Sequence, residues 1–410
     1  MNDILPADIP QWHKLEEQAR LFFSTYGFSE IRTPILESSL LFERGIGEDT
    51  QVVEKEMYTF VDNDGNSMSL RPEGTASVIR SYLQNKLSAK DAISKLYYMG
   101  PMFRFEKPQK GRFRQFHQIG LETIGTDSPY ADAEVVILLD RLVKSLGIND
   151  YSIIINSIGT TKEREAYLEL LQNYFNQHKE SLCEDCNIRL DTNPLRIFDC
   201  KDEQCIDHVK DAPSILDSLG KLSLEDFETF KNALLASNVN FVIEPTLVRG
   251  LDYYEKTVFE FKSNLLGAQS AFAGGGRYNK LAKELGAKHP IPSVGASIGS
   301  ERLLLLLQEA SKTNETTPEL SGTYFICLDE GSFSTTKRLL QDTRDAGIKS
   351  DMDFSVRSLR SQMRRANKLG FKNIILIGEN EMSNGVVTIK DFSTGDQIEI
   401  EMDNLVSRLS

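Results

Sequence analysis

Apolar side chains recur at Val135, Leu138, Leu139, Leu142, Val143 and Leu146, the spacing of one helix face, and Gly147 supplies the stop. A strand over residues 151–156 follows. A second amphipathic helix then carries Tyr167, Leu168, Leu171, Tyr174 and Phe175 on one side. From there to about residue 240 the chain is polar, helical in pattern and interrupted, until strands return near Phe241 and over residues 257–261. That sequence of patterns predicts an insertion, about 160–240, inside a larger domain. Residues 311–322 (SKTNETTPELSG) are polar, hold Pro318 and Gly322, and read as a boundary. Beyond them come a buried strand (323–328), a helix ending near Gly347 and a second helix from about Arg357 to Leu369. Strands at 373–377, 386–391 and 397–401 complete the pattern, the last two joined by a turn at 393–396. Strands alternating with helices, then a hairpin, predict a small α/β domain over 321–410, separate from a larger unit over 1–310.

Composition narrows the classes. A chain of 410 residues exceeds one ordinary domain, and 40% hydrophobic with 26% charged residues is globular usage. The longest aliphatic run, residues 303–307, is far short of the ~20 residues of a membrane span. The start MNDILPADIPQWHK has neither a basic nor an apolar leader segment, and five scattered cysteines form no disulfide framework, so a reducing cytoplasm is expected. With 47 Lys and Arg against 60 Asp and Glu, a net of −13, any polyanion must be held by a local basic site. The histidines at 13, 117, 178, 208 and 289 form no H-E-x-x-H, which excludes a histidine-built zinc hydrolase. Cys183-x-x-Cys186 with Cys200 and Cys205 downstream has the outline of a four-thiolate zinc site, although Cys-x-x-x-x-Cys is a loose second pair.

Four stretches carry candidate chemistry. Residues 69–75 (SLRPEGT) form a polar turn before a helix that Thr75, read in isolation, would cap. Residues 100–122 (GPMFRFEKPQKGRFRQFHQIGLE) crowd Arg104, Lys107, Lys110, Arg112 and Arg114 among Phe103, Phe105, Phe113 and Phe116. Guanidinium groups on a loop between rigid strands are fixed donor forks suited to a polyphosphate. Residues 247–261 (LVRGLDYYEKTVFEF) set Arg249 and Gly250 before Asp252, Tyr253 and Tyr254; paired tyrosines offer apolar walls with polar tips, or equally a satisfied core. Residues 271–278 (AFAGGGRY) and 294–302 (VGASIGSER) place three consecutive glycines, then Gly299, where backbone can approach a ligand closely. Neither G-x-x-x-x-G-K-[ST] nor G-x-G-x-x-G occurs, so a nucleotide would be held by arginines and a sheet.

Taken in order, these stretches resemble the class II aminoacyl-tRNA synthetases, and closely the histidyl-tRNA synthetase family. Motif 1 resembles FSEIRTPILE with Pro34, motif 2 resembles MFRFE followed by FRQFHQ, and motif 3 resembles GASIGSER. LVRGLDYY and AGGGRY are similar to the histidine-specific signatures; Ser300, Phe105 and Lys107 depart from common usage. The resemblance implies a core of six to seven antiparallel strands with flanking helices, an inserted helical domain, a C-terminal α/β anticodon-binding domain and a homodimer. It implies activation of L-histidine with ATP and Mg2+ to histidyl-adenylate, then transfer to the 3′ end of histidine tRNA. By similarity Arg104 meets the α-phosphate, Arg112 and Arg302 hold ATP, and Arg249 stabilises the phosphorus under attack, so that Arg249 and Arg104 are the catalytic pair. Glu73 and Gln118 would take the substrate's α-amino group, Glu122 and Tyr254 the two imidazole nitrogens, with Gly74, Thr75 and Tyr253 completing the histidine pocket. The family is not generally a zinc family, so no protein-held metal is expected.

The alternative is a paralogue that shares the core without charging tRNA, the regulatory subunit of ATP phosphoribosyltransferase; such chains typically lack the C-terminal domain and degrade the histidine signatures. Independently of any family, residues 357–372 hold Arg357, Arg360, Arg364, Arg365, Lys368 and Lys372 and no acidic residue. Helical spacing aligns Arg357, Arg360, Arg364 and Lys368, with Leu359, Met363 and Ala366 turned inward, which predicts a tRNA-backbone face carried by Arg360, Arg364 and Lys368.

Overall fold

A computed structural model of the chain describes residues 2–47, 50, 52–107, 111–200, 202–267, 270–311 and 320–409. The chain forms two compact units, Met1–Asn314 and Glu315–Ser410. Most of the boundary segment read from the sequence, residues 312–319, lies outside the described residues.

The first unit contains strands β1 (Ser29–Glu30), β2 (Leu36–Ser38), β3 (Tyr58–Val61), β4 (Ser67–Leu70), β5 (Ser94–Phe103), β6 (Gln115–Ile124), β7 (Ser152–Ser157), β8 (Val242–Ile243), β9 (Glu255–Lys262), β10 (Ala271–Arg277) and β11 (Ser293–Gly299). Strands β2, β4 and β3 make a small antiparallel sheet; the others form one eight-stranded sheet in the order β1-β5-β6-β11-β10-β9-β7-β8. The six inner strands are antiparallel neighbours, as the resemblance implies. The additional width comes from β1 and β8, two-residue strands paired in parallel at the edges.

Alternation along the strands divides the side chains between two cores. Ile119 and Leu121 of β6, Tyr97 of β5, and Phe259 and Phe261 of β9 join one cluster with helices Ile9–Thr25, Pro129–Ser145 and Lys221–Ala236. Tyr98 and Val258 point the other way, into a second cluster with Tyr82, Tyr167, Tyr253, Tyr254 and Tyr278. Helix Pro129–Ser145 forms where the spacing predicts. Ser128 caps it by accepting from the Tyr130 N–H, Pro129 opens it, and Val135, Leu138, Leu139 and Leu142 are fully buried. Truncating any of those leucines to alanine would cost about 2–5 kcal/mol. The interrupted region resolves into helices Thr161–Asn176, Glu184–Thr192, Glu203–Lys210 and Lys221–Ala236 linked by short 3-10 turns.

The second unit is a five-stranded sheet of β12 (Thr323–Cys327), β13 (Ser350–Met352), β14 (Asn373–Ile377), β15 (Val386–Asp391) and β16 (Gln397–Glu401), in the order β13-β12-β14-β15-β16. Phe325 and Cys327 pack with Leu339 and Leu340 of helix Phe333–Asp345 on one face; Tyr324 and Ile326 pack with Ala366 of helix Leu359–Lys368 on the other. Three elements escaped the sequence pattern: the short strand β13 and helices Glu379–Asn384 and Leu405–Leu409. The cationic helix begins at Leu359, so Arg357 precedes it, and Leu359 is exposed instead of turning inward.

Candidate active site

Gln118 and Glu122 lie four positions apart on β6 and so share the face opposite Ile119 and Leu121. Across the β6–β11 pair they stand opposite Gly299 and Gly295. That pairing explains the glycine: a Cβ at Gly295 would fall 1.7 Å from Glu122 Oε2. One strand further on, Gly274, Gly275 and Gly276 of β10 pair with Ser297, Ala296 and Gly295. The Arg249 guanidinium lies across Gly274, where a Cβ would sit 2.8 Å from Nη1. The triple glycine therefore clears a flat floor over which charged side chains extend.

Over this floor lies a cleft of about 500 Å3. Its wall includes Glu73, Thr75, Gln118, Arg249, Tyr253 and Tyr254, and also Arg104, Arg112 and Arg302. At the first end, Glu73 is buried, and its carboxylate accepts from the N–H groups of Thr75 (2.6 Å) and Ala76 (2.8 Å). Glu73 thus caps helix Thr75–Gln84, and burial raises its carboxyl's pKa against those bonds. Thr75 is not the cap expected from the sequence. Its hydroxyl donates to Glu122 Oε1 at 2.7 Å.

Glu122 is fully buried behind Thr75 and does not line the cleft, which is where the structure departs from the expected direct contact with a substrate ring. The Tyr278 hydroxyl donates to its other oxygen. Burial pushes the Glu122 carboxyl from 4.5 up to about 8. Gly74 likewise contributes no wall; it is the residue before the helix, and the Tyr98 ring lies where its Cβ would be. Burial holds the Tyr98, Tyr253 and Tyr278 hydroxyls well above their ordinary value, so they remain proton donors.

At the second end Arg104 and Arg302 are held by backbone carbonyls. Arg104 Nε donates to Pro72 O at 2.9 Å and its guanidinium lies 5.5 Å from the Phe116 ring centre. Arg302 Nε donates to Gly111 O at 3.0 Å, Nη1 reaches Ala271 O, and burial lowers its pKa. Arg112 pairs with Glu106 at 3.1 Å. Of the remaining cations in that stretch, Arg114 stacks on Phe105 at 4.1 Å, Lys107 is exposed, and Lys110 lies outside the described residues. Between the two ends sits Arg249. Burial works against its charge, but the Glu260 carboxylate beside it holds its pKa above the ordinary value. Arg249 Nε and Gln118 Oε1, both on the cleft wall, are buried without a hydrogen-bond partner and so are open to a ligand's polar atoms.

Sequence reasoning missed Tyr98, Tyr278 and Glu260. Tyr278 closes the quoted AGGGRY run and could have been marked; Tyr98 and Glu260 sit in strands with no local signal. In the second unit Arg360, Arg364 and Lys368 are exposed on helix Leu359–Lys368, while Arg365 pairs with Asp353 at 3.4 Å. Phe354, 87% exposed, precedes that helix.

Comparison with known proteins gives consistent matches. The histidyl-tRNA synthetase family model covers residues 1–303, and the anticodon binding domain model covers 323–410. The histidine–tRNA ligase of Halothermothrix orenii is 44% identical over 408 residues, covering 100% of this chain and 97% of the relative. That of Syntrophotalea carbinolica is 43% identical over 409 residues, covering 100% and 96%. The crystal structure of apo S. aureus histidyl-tRNA synthetase superposes with a TM-score of 0.83 at 35% identity, covering 100% of this chain and 98% of that one.

Proposed function

The chain belongs to the histidyl-tRNA synthetase family, and from that membership we propose how its own residues divide the work. The activity is that of a histidine–tRNA ligase: histidine and ATP give histidyl-adenylate and pyrophosphate, and histidine then passes to the 3′ end of histidine tRNA. The observation that carries the division is the placement of Arg249, spread over Gly274 between a carboxylate-and-tyrosine end and an arginine end of one cleft.

Histidine lies at the end formed by Glu73, Thr75, Gln118, Tyr253 and Tyr254. Glu73 and Gln118 take the α-amino group; the unpartnered Gln118 Oε1 supports that assignment. Tyr254 and Glu122 take the ring nitrogens. The ring reaches Glu122 by replacing the Thr75 hydroxyl, and a site built around two ring nitrogens leaves its own groups unpaired when another side chain enters. ATP lies at the other end, its phosphates against Arg104, Arg112 and Arg302. Mg2+ enters with ATP as part of the substrate; Glu106, Glu260 and Glu301 are carboxylates of that part of the wall.

As the histidine carboxylate attacks the α-phosphorus, negative charge grows on the phosphoryl oxygens. Arg104 and Arg249 are already in place to meet it, so little reorganisation accompanies the step. Glu260 keeps the Arg249 fork oriented. Pyrophosphate departs from the Arg112 and Arg302 side. A homodimer fits the exposed apolar side chains Leu36, Phe60 and Val61 of the small β2-β4-β3 sheet, and a cytoplasmic setting fits the free cysteines. The regulatory-subunit alternative gains no support from full-length relatives that are histidine–tRNA ligases, nor from the matched anticodon-binding domain.

Histidine-dependent ATP–pyrophosphate exchange tests the reading. Arg249→Ala should lower it by ~10²–10³ with the thermal transition little changed, the usual loss for one preorganised charge-stabilising group. Near-normal exchange in that variant removes Arg249 from the catalytic assignment.

A further inference from the structure

Between helices Thr161–Asn176 and Lys221–Ala236 the chain passes through helix Glu184–Thr192, the 3-10 turn Pro194–Asp199 and helix Glu203–Lys210. Helices this short are not stable by themselves, and something must fix them to one another. Cys183 is the residue before the first helix and Cys186 lies in its first turn; Cys200 ends the 3-10 turn and Cys205 lies in the first turn of the last helix. The chain thus brings two pairs together from both ends of the segment.

The four sulfur atoms all lie within 4.8 Å of one another, and Cys183 Sγ and Cys200 Sγ are 3.8 Å apart. All four thiols are free. A tetrahedral zinc thiolate, with zinc–sulfur bonds of about 2.3 Å, has sulfur–sulfur edges of about 3.8 Å, whereas a disulfide requires about 2 Å. Cys186 and Cys205 are fully buried in the second apolar cluster and Cys183 and Cys200 pack half-buried against it, so the four sulfurs meet at the edge of that core. Backbone groups already serve the sulfurs: the Cys183 N–H donates to Cys205 Sγ at 3.2 Å and the Asp202 N–H to Cys200 Sγ at 3.4 Å. Such bonds from the surroundings are what a metal-bound thiolate receives.

We propose that Cys183, Cys186, Cys200 and Cys205 bind one structural Zn2+ ion, contrary to the absence of metal that family resemblance leads one to expect. Four thiols lose four protons and form four zinc–sulfur bonds, leaving a doubly negative centre with no oxidation change. No ligand position stays open, so the ion staples and does not catalyse. The looser Cys-x-x-x-x-Cys spacing is accommodated because Cys200 and Cys205 sit on two successive elements, the end of a turn and the start of a helix. The staple also bears on the cleft: Arg196, in the turn between the two pairs, donates to Gly250 O at 2.9 Å, next to Arg249.

The test is metal analysis of the full chain purified under reducing conditions, followed by cobalt exchange. About one zinc per chain is expected, together with the intense visible absorption of tetrahedral cobalt thiolate after exchange. Cys183→Ser with Cys200→Ser, at the half-buried rim where the fold is least at risk, should lose the zinc and the cobalt spectrum. Folded protein with less than about a tenth of an equivalent of zinc, four titratable thiols in this segment and no cobalt uptake would overturn the proposal. So would iron in place of zinc, or wild-type zinc content in the double variant.

Discussion

Glu122 illustrates how burial couples one carboxyl to pH. Its folded-state value of about 8 stands above the ordinary 4.5 because burial penalises its charge more than the Tyr278 and Thr75 hydroxyls relieve it. Between those values the folded chain keeps a proton that the unfolded chain has released, so this residue's contribution to stability declines as pH rises through that window. Glu122→Gln removes the titration while keeping shape. The melting temperature of the variant should gain on that of the wild type between about pH 5 and pH 8, and parallel curves in thermal melts would contradict the shift. On the proposed assignment, the same variant should raise the KM for histidine about tenfold or more, since a ring nitrogen loses its Glu122 partner. The KM for ATP should hardly move; equal losses for both substrates would make Glu122 structural.

Among the elements, helix Leu359–Lys368 shows a division that its residue pattern anticipates in outline. Gln362 and Ala366 are buried, and Gln362 donates to Cys327 O at 2.9 Å and Arg357 O at 2.7 Å, so the opposite side is left to Arg360, Arg364 and Lys368. Among the described residues no ion pair is found for those three, whereas Arg365 is partnered by Asp353. Cations without local partners suit phosphates, and the exposed Phe354 ring ahead of the helix suits an unstacked base. Changing Arg360, Arg364 and Lys368 together to alanine should weaken histidine tRNA binding and reduce its salt slope by about one unit for each phosphate no longer neutralised. Binding titrations across salt concentration check this, and an unchanged slope would return the helix to ordinary surface.

On the scale of the whole molecule, each unit has its own buried clusters and its own sheet. The first contains the entire cleft, and the second contains the cationic helix. Removing residues 321–410 should therefore lower tRNA charging far more than histidine-dependent pyrophosphate exchange. Parallel loss of both activities would show that the first unit does not work alone.

Much of this architecture could be read along the chain because its signals are local. Periodicity marks the helix Pro129–Ser145 and the strand β14, and the crowded arginines and the glycine run mark one end and the floor of the cleft before any tertiary neighbour is known. What the sequence could not decide depends on residues far apart in it. Thr75 satisfies Glu122 instead of its own helix because β6 passes behind that helix start, and Glu73 takes the capping task. Gly274 and Gly295 are glycines for the sake of Arg249 and Glu122: the pairing of β6 with β11 sets Glu122 against Gly295, and the pairing of β9 with β10 sets Glu260, the partner of Arg249, opposite Gly274. The cysteine pairs have an ambiguous spacing in one dimension, and only the folding of two short helices around a turn brings the four sulfurs within 4.8 Å of one another. Chain spacing determines which side chains share an element; the distance between elements, which fixes protonation, hydrogen-bond partners and the approach of the four sulfurs, exists only once the chain has folded.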